Sequence, residues 1–232
     1  MSRTLFLALA GGALLSLPAS AQIASGLVRE GDAPAGAPPG HTVSSITDPA
    51  VNKATGYAVG LSTSDGVTTL SHFWGEPTLS GAPAVIRTEA TIGNLVQNSF
   101  ESFWGYSDAG QTAYSPLCEN TSTGGTSLDC VFLDGTVLCE EDQPIASLPG
   151  KLWRFGSRPG VSADGIPYWI GGIDDATTGA NEGRGLFLGA SGTVIMKSGD
   201  VLPGTGGPLD GGGISFDYRF SARITHYLVE VD

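Results

Sequence analysis

Short apolar runs alternate with Gly- and Pro-rich turns along most of the chain, and one phrase recurs among these runs. The phrase has two adjacent apolar residues followed by polar residues and a turn. Its second apolar residue serves as a marker. In successive copies this residue is Val28, Ile86, Leu138 and Ile195, and the copies are 58, 52 and 57 residues apart. No window after residue 22 has apolar residues at the i, i+3, i+4 spacing of a helix, so the pattern predicts strands and almost no helix.

A turn that ends in glycine follows each copy of the phrase and is a second marker. It occupies residues 53–56, 107–110 and 162–165, and in the fourth copy, residues 221–224, Ile224 replaces the glycine. Glycine enters φ > 0 without a Cβ clash, so the runs on either side can pair as a hairpin. Because the two markers recur in step, the chain is predicted to be a tandem repeat.

A repeat of about 50 to 60 residues is typical of propeller blades or of another stacked β array. Four strands are predicted in each unit: one over the phrase, one before the glycine turn, one after it, and one around the runs HFWG, CVFL and GLFLG. The predicted fold is all-β, a β-propeller-like array of about four blades with about four antiparallel strands each. It forms one domain over residues 22–232, with units that start near residues 27, 85, 137 and 194.

Aromatic residues concentrate in the strand before the glycine turn. We expect them to pack between neighbouring blades, and a platform for stacking sugars is the alternative. They are Phe100, Phe103, Trp104, Trp153, Phe155, Phe216, Tyr218 and Phe220.

The last unit ends at Asp232 without its final strands. The N-terminal residues QIASGLVREGD align with LFLGASGTVIMKSGD, so N-terminal strands are expected to close the ring and remove its open sheet edges. Two alternatives stay open. The chain is a piece of a longer repeat protein that continues after Asp232, or residues 22–32 complete a blade of a neighbouring molecule and form homo-oligomers or filaments.

Residues 29–34 read REGDAP, and residues 107–114 read SDAGQTAY. These motifs resemble those of secreted bacterial tandem-repeat proteins of the choice-of-anchor class. Their repeat has the form Asn-x-x-Gly-x-x-Ala-Phe and carries a Glu-Gly-Asp-x-Pro-like phrase. The resemblance spans nearly all of the chain after residue 21, and it implies a β-propeller-like fold, export from the cell and no assigned activity.

The first 21 residues have the pattern of a secretory signal peptide. Arg3 precedes an apolar run, and Ala19, Ser20 and Ala21 form a small-residue cleavage site. The run is shorter than the roughly 20 residues that cross a bilayer, so cleavage after Ala21, a secreted (extracellular or periplasmic) location and no membrane span are predicted. The formal net charge of −12 at pH 7 predicts no nucleic-acid partner, because phosphate binding needs clustered Lys and Arg.

Three cysteines in an exported chain leave one unpaired if a disulfide forms. Counted outward from a two-residue turn at Asp134 and Gly135, Cys130 lies opposite Cys139. A Cys130–Cys139 disulfide is therefore predicted, with Cys118–Cys130 as the competing pair and three free thiols as the third alternative.

Candidate chemistry is sparse. Four side chains with oxygen ligands fall in one segment and form a candidate calcium site: Asp174, Asp175, Asn181 and Glu182. The segment fails the EF-hand pattern, so a solvated hairpin loop competes with the calcium site, and no other cofactor is expected. The three histidines are isolated in the sequence, and no Gly-x-Ser-x-Gly motif occurs, so no catalytic residue is predicted.

The sequence therefore predicts a noncatalytic secreted or cell-surface β-repeat module. It would bind an unidentified extracellular ligand or protein, with glycans among the candidates, or contribute to an extracellular assembly, through the variable loops of a rigid β scaffold. One alternative is a carbohydrate-active hydrolase with carboxylates near the ring axis. The other is a structural subunit that self-associates by strand exchange.

Overall fold

A computed structural model describes residues 27–52, 55–78, 82–204, 206–209, 219–220 and 227–228. The predicted signal peptide, residues 22–26 of the predicted closing segment and most of the fourth unit lie outside these residues. Apart from a 3-10 turn at Thr121–Thr123, the regular secondary structure described is β, so the all-β prediction is confirmed. No helix in this part of the chain has the length and apolar character needed to cross a membrane.

Three consecutive segments form three antiparallel sheets, and each strand pairs with the next one along the chain. The first sheet contains β1 (Thr42–Val51), β2 (Thr55–Ser64), β3 (Thr69–Thr78) and β4 (Ala84–Thr88). The second contains β5 (Thr91–Ile92), β6 (Leu95–Tyr106), β7 (Thr112–Asn120), β8 (Thr126–Leu133) and β9 (Thr136–Glu140). The third contains β10 (Lys151–Val161), β11 (Pro167–Asp175), β12 (Asn181–Leu188) and β13 (Thr193–Lys197), and two short strands, β14 (Arg219–Phe220) and β15 (Tyr227–Leu228), pair with each other.

The recurring phrase forms the last strand of each sheet, and its marker residue is the extra residue of a β-bulge. In β4 the residues on either side of Ile86 pair with consecutive residues of β3, which leaves Ile86 out of the ladder. Leu138 in β9 and Ile195 in β13 are left out in the same way. The bulge explains the two adjacent apolar residues, because Val85 and Ile86 pack against two different hydrophobic clusters.

The three sheets stack face to face around hydrophobic clusters. Phe73 of the first sheet packs among residues of the second, with its ring centre 5.5 Å from that of Tyr114. Val131 of the second sheet packs with Trp153 and Trp169 of the third. Burial of such a side chain stabilises the fold by about 1.5–3 kcal/mol, so these interfaces set the order of the sheets.

The glycine turns join β1 to β2, β6 to β7 and β10 to β11, which pair as hairpins as the sequence predicts. Ser107 and Ser162 each accept, through Oγ, a hydrogen bond from the backbone N–H four residues later. Asn52 Oδ1 does the same for the N–H of Gly56 at 2.8 Å. Asn52 is therefore equivalent to Ser107 and Ser162. The sequence alignment, which begins the first turn at Lys53, is wrong by one residue, because what the turns share is this side-chain acceptor and not the position of the glycine.

Candidate functional site

The strand before each glycine turn, β1, β6 or β10, is bulged at a similar position. In β6, residues 101–103 lie opposite a single residue of β7. In β10, Arg158 and Pro159 lie opposite Trp169 of β11, and residues 47–48 form the corresponding bulge in β1. A bulge breaks the alternation of a strand and re-aims its side chains, and bulges are frequent beside functional sites.

A cleft of about 440 Å³ lies between the bulges of β6 and β10. Both strands line it, with Phe100, Glu101 and Phe103 from β6 and Ser157 and Arg158 from β10. The volume is within the range of about 300–1,000 Å³ that small-ligand sites occupy. One cleft thus brings together an exposed aromatic ring, a carboxyl group, a hydroxyl group and a guanidinium group.

Arg158 is held in a conformation that residues with a Cβ rarely adopt. Its φ is +49°, in the left-handed region, at a cost of about 1–3 kcal/mol. This backbone conformation places the guanidinium carbon 5.1 Å from the centre of the Phe103 ring, in cation–π contact. Phe103 nevertheless remains 50% exposed. The strained residue therefore holds an exposed ring in position at the cleft.

Glu101 is the ionisable acid of the cleft. Although part of the residue is exposed, the surrounding protein desolvates its carboxyl group, and this is the main cause that raises its pKa. The negative charge of Asp129 raises the pKa further, and a hydrogen bond with Ser115 opposes the shift. Desolvation also raises the pKa of Asp129 itself. Two carboxyl groups with raised pKa thus lie close enough to interact.

Sequence reasoning does not find this pair. Glu101 is on β6 and Asp129 on β8, with β7 between them, and neither stands in a motif. Strand alternation places a residue on a face, but the two extra residues of the β6 bulge shift that alternation. The only local signal in the sequence is an aromatic residue, Phe103, two positions after an acidic residue, Glu101, in the strand before a glycine turn.

Two of the four candidate calcium ligands, Asp175 and Glu182, bind the side chain of Lys151. Asp174 pairs with Asn181 across β11 and β12, and Lys151 Nζ lies 2.9 Å from Asp175 Oδ2 and 2.5 Å from Glu182 Oε1. The hydrogen bond from Lys151 is the main cause that lowers the pKa of Asp175. Within the described ranges no group of three or more His, Cys, Asp or Glu side chains could hold a metal ion. A calcium ion at the predicted site would have to displace the Lys151 ammonium group.

The cysteine register differs from the prediction. Cys130 lies opposite Glu140, and Cys139 lies opposite Val131, because the extra residue Leu138 shifts the ladder by one position. Cys130 and Cys139 consequently pack in different hydrophobic clusters, on the two faces of the sheet. The expectation that Cys130 faces Cys139 is wrong, and the register on which that disulfide depends is absent.

The competing pair is the one that the fold brings together. Cys118 on β7 and Cys130 on β8 pack in the same cluster, and a hydrogen bond between their thiols, followed by burial, raises the pKa of Cys130. Burial likewise raises the pKa of Cys139. All three are buried free thiols in this structure, and a Cys118–Cys130 disulfide stays the untested alternative to three free thiols.

We expect none of the three thiols to react with Ellman's reagent at pH 8 while the protein is folded, and all three to react after unfolding in guanidinium chloride. All three thiols are buried and therefore shielded from the reagent, and burial also disfavours the reactive thiolate form of Cys130 and Cys139. The measurement is the thiol count before and after unfolding. A fast-reacting thiol in the folded protein would contradict the buried placement, and one thiol instead of three after unfolding would reveal a disulfide.

Two histidines that look isolated in the sequence share a buried network. Thr63 Oγ1 lies 3.1 Å from His41 Nδ1 and 2.8 Å from His72 Nε2, and His72 Nδ1 lies 2.9 Å from Thr88 Oγ1. Burial, and then the charge of His41, lowers the pKa of His72 to about 4. His226 lies outside the described residues. Because Thr63 is fully buried, this network is part of the first sheet's core and not an accessible catalytic group.

The arrangement between β6 and β10 is therefore the candidate site, and it has the character of a ligand cleft with an aromatic platform. Comparison of the chain with known protein families, with curated proteins and with solved structures finds no match.

Proposed function

We propose that this protein is a noncatalytic, exported β-propeller-like module that binds an extracellular ligand in the cleft between β6 and β10. The observation that carries the binding proposal is the exposed Phe103 ring held beneath a strained Arg158 at the two matched bulges. The proposal of export depends on the signal-peptide pattern of residues 1–21.

The tandem repeat is supported by a loop whose hydrogen bonds recur. In the first copy, the N–H of Gly31 donates to Val43 O and the N–H of Val43 donates to Asp32 O, both at 2.8 Å. The same two bonds link residues 142 and 143 with Trp153, and residues 199 and 200 with Leu209. The residue with positive φ in these loops is Gly31, Asp142 or Gly199. A shared backbone geometry, rather than shared residue types, therefore supports the proposal that the repeat units are equivalent.

Propeller-like stacking is supported by contacts among β1, β6 and β10, the strands before the glycine turns. Trp104 Nε1 of β6 donates to Asp48 O of β1 at 3.2 Å, and Gly105 of β6 lies against the backbone of β10. The glycine turns also meet, because Asn52 Nδ2 donates to Ser107 O and the N–H of Asp108 donates to Ala163 O. Equivalent strands that adjoin at one side of three stacked sheets are what blades around an axis require.

The test of the binding proposal uses Arg158→Gly. Glycine adopts positive φ without strain, so the variant should keep the fold while it removes the guanidinium group. Wild type and variant are compared by surface plasmon resonance against three probe classes: neutral polysaccharides, polygalacturonate and a basic peptide. We expect at least one class to bind the wild type and to lose at least tenfold in affinity with the variant. The proposal would be contradicted if Arg158→Gly bound every probe class as tightly as the wild type does.

The second candidate is a carbohydrate-active hydrolase, and the interacting Glu101 and Asp129 favour it. Glycosidases use one carboxylic acid with a raised pKa and one carboxylate across the scissile bond. The test is release of chromophore from a panel of nitrophenyl glycosides by wild type and Glu101→Gln. Turnover that the substitution abolishes would support the hydrolase. If the wild type releases chromophore no faster than buffer alone, the hydrolase candidate is contradicted and the binding module stays the proposed function.

A further inference from the structure

We infer that the cleft between β6 and β10 binds a neutral oligosaccharide, with one sugar ring stacked on Phe103. This inference rests on the proposed binding function and specifies the chemical class of its ligand. The residues that carry it are Phe103, Arg158, Glu101 and Ser157.

Phe103 has the features of a stacking platform. A single exposed apolar residue needs no functional explanation. Phe103, however, lies in a bulge that adds two residues to β6, and a residue of another sheet with strained backbone holds its ring from one side. Neighbouring Phe100 and Trp104 instead pack into the cluster between the first two sheets. The fold partly buries Phe100 and Trp104 and buries Tyr106, whereas the Phe103 ring stays at the surface.

The surroundings of the ring suit sugar hydroxyl groups. A pyranose presents an apolar C–H face to an aromatic ring, whose π face is electron-rich, while its hydroxyl groups point outward at the rim. Arg158 supplies hydrogen-bond donors there, Glu101 supplies carboxyl oxygens, and Ser157 supplies a hydroxyl that can donate and accept. An apolar centre with a few polar groups at its edge is the usual composition of a small-ligand site.

Charge selects a neutral ligand over a charged one. The chain has a formal net charge of −12 at pH 7, and Asp129 lies close to Glu101, so a polyanionic glycan meets a repulsive field. A cationic ligand is attracted by that field, but it would have to stack beside the Arg158 guanidinium group, which already occupies one side of Phe103. A neutral sugar meets neither penalty.

The experiment measures binding by isothermal titration calorimetry to laminarin, xyloglucan, galactomannan and chitohexaose, with polygalacturonate and a basic peptide as charged probes. The variants are Phe103→Ala and Phe103→Trp, with Val67→Ala as the control, because Val67 is a 94% exposed apolar residue in the turn between β2 and β3. We expect at least one neutral glycan to bind the wild type. Its affinity should fall at least tenfold in Phe103→Ala, persist in Phe103→Trp and stay unchanged in Val67→Ala.

The outcomes separate this inference from the proposed function. If only a charged probe binds, and Phe103→Ala or Arg158→Gly weakens that binding, the cleft is a binding site but the neutral-sugar inference is overturned. If a neutral glycan binds equally well to wild type and Phe103→Ala, the inference is also overturned. If no probe shows binding that depends on either residue, both fail. Near-ultraviolet circular dichroism checks the fold of each variant, and Phe103→Gln replaces Phe103→Ala should that variant misfold.

Discussion

Substitution of Gly105 with alanine is expected to destabilise the protein by about 3 kcal/mol, at the upper end of the range for overpacking. A Cβ on Gly105 would lie within 2.8 Å of the Cα and C atoms of Gly160 and closer still to the backbone N of Val161. These are backbone atoms of β10, which cannot rotate away as a side chain can. The second and third sheets would have to separate, and the hydrophobic cluster between them would lose contacts.

The measurement for Gly105→Ala is the urea unfolding midpoint, with Gly206→Ala as the matched control. Gly206 also lacks a positive φ, and a Cβ there would meet no atom of the described residues within 4 Å. The control substitution should change the free energy of unfolding by no more than about 0.5 kcal/mol. Equal stability of the two variants would contradict the close approach of β6 and β10, and with it the stacking on which the cleft depends.

Substitution of Glu89 with glutamine is expected to stabilise the protein above pH 7 by about 1–3 kcal/mol and to have little effect near pH 4.5. Burial raises the pKa of Glu89 to about 7, and its buried Oε2 has no hydrogen-bond partner among the described residues. The folded protein therefore binds more protons than the unfolded chain between the unfolded pKa of 4.5 and about 7. The stability that this group contributes is fully present below pH 4.5 and is lost as the pH rises through 7.

The contribution of His72 to stability depends on pH in the opposite direction. Its folded pKa of about 4 lies below the unfolded value of 6.5, so its contribution is present above pH 6.5 and is lost as the pH falls towards 4. The free energy of unfolding is measured in urea at pH 4.5, 6 and 8. Glu89→Gln should remove the loss of stability at high pH and keep the loss of stability at low pH. Glu30→Gln, at an exposed carboxylate, is the control. A gain for Glu89→Gln that is the same at all three pH values would show that the carboxyl group does not titrate as described.

The strands and turns of this fold are largely predictable, because they depend on local residue types. Asp134 and Gly135 read as a two-residue turn, and both have positive φ in the structure, as a type I′ hairpin turn requires. The four strands predicted per unit occur in each of the three described sheets. The sheet boundaries are displaced, however, because the strand that opens a predicted unit pairs as the last strand of the preceding sheet.

The errors in ladder register and side-chain placement have a common cause, which is the β-bulge. The extra residue Leu138 is a good strand former with no turn residue beside it, so counting along the chain places Cys130 opposite Cys139 when the ladder places it opposite Glu140. Residues 101–103 of β6 likewise carry no turn signal. A bulge is stabilised by how both faces of a sheet pack, and a pattern of period two does not contain that information.

The candidate site lay beyond sequence reasoning for a related reason. Phe103 and Arg158 belong to different sheets, and their contact depends on the stacking of β6 and β10 and on a positive φ at a residue with a Cβ. Lys151 is 31 residues from Glu182 in the sequence, yet it supplies the cation that binds two of the candidate calcium ligands, Asp175 and Glu182.

The amino-acid sequence by itself determined the strand class, the hairpin turns and the positions at which the phrase recurs, because these follow from the conformational limits of glycine and from short-range alternation. The tertiary structure alone decided the ladder register, the partners of the cysteines and acids, and the cleft between β6 and β10. Those features are set by packing between sheets, where contacts join residues that are far apart in the chain and leave no periodic trace along it.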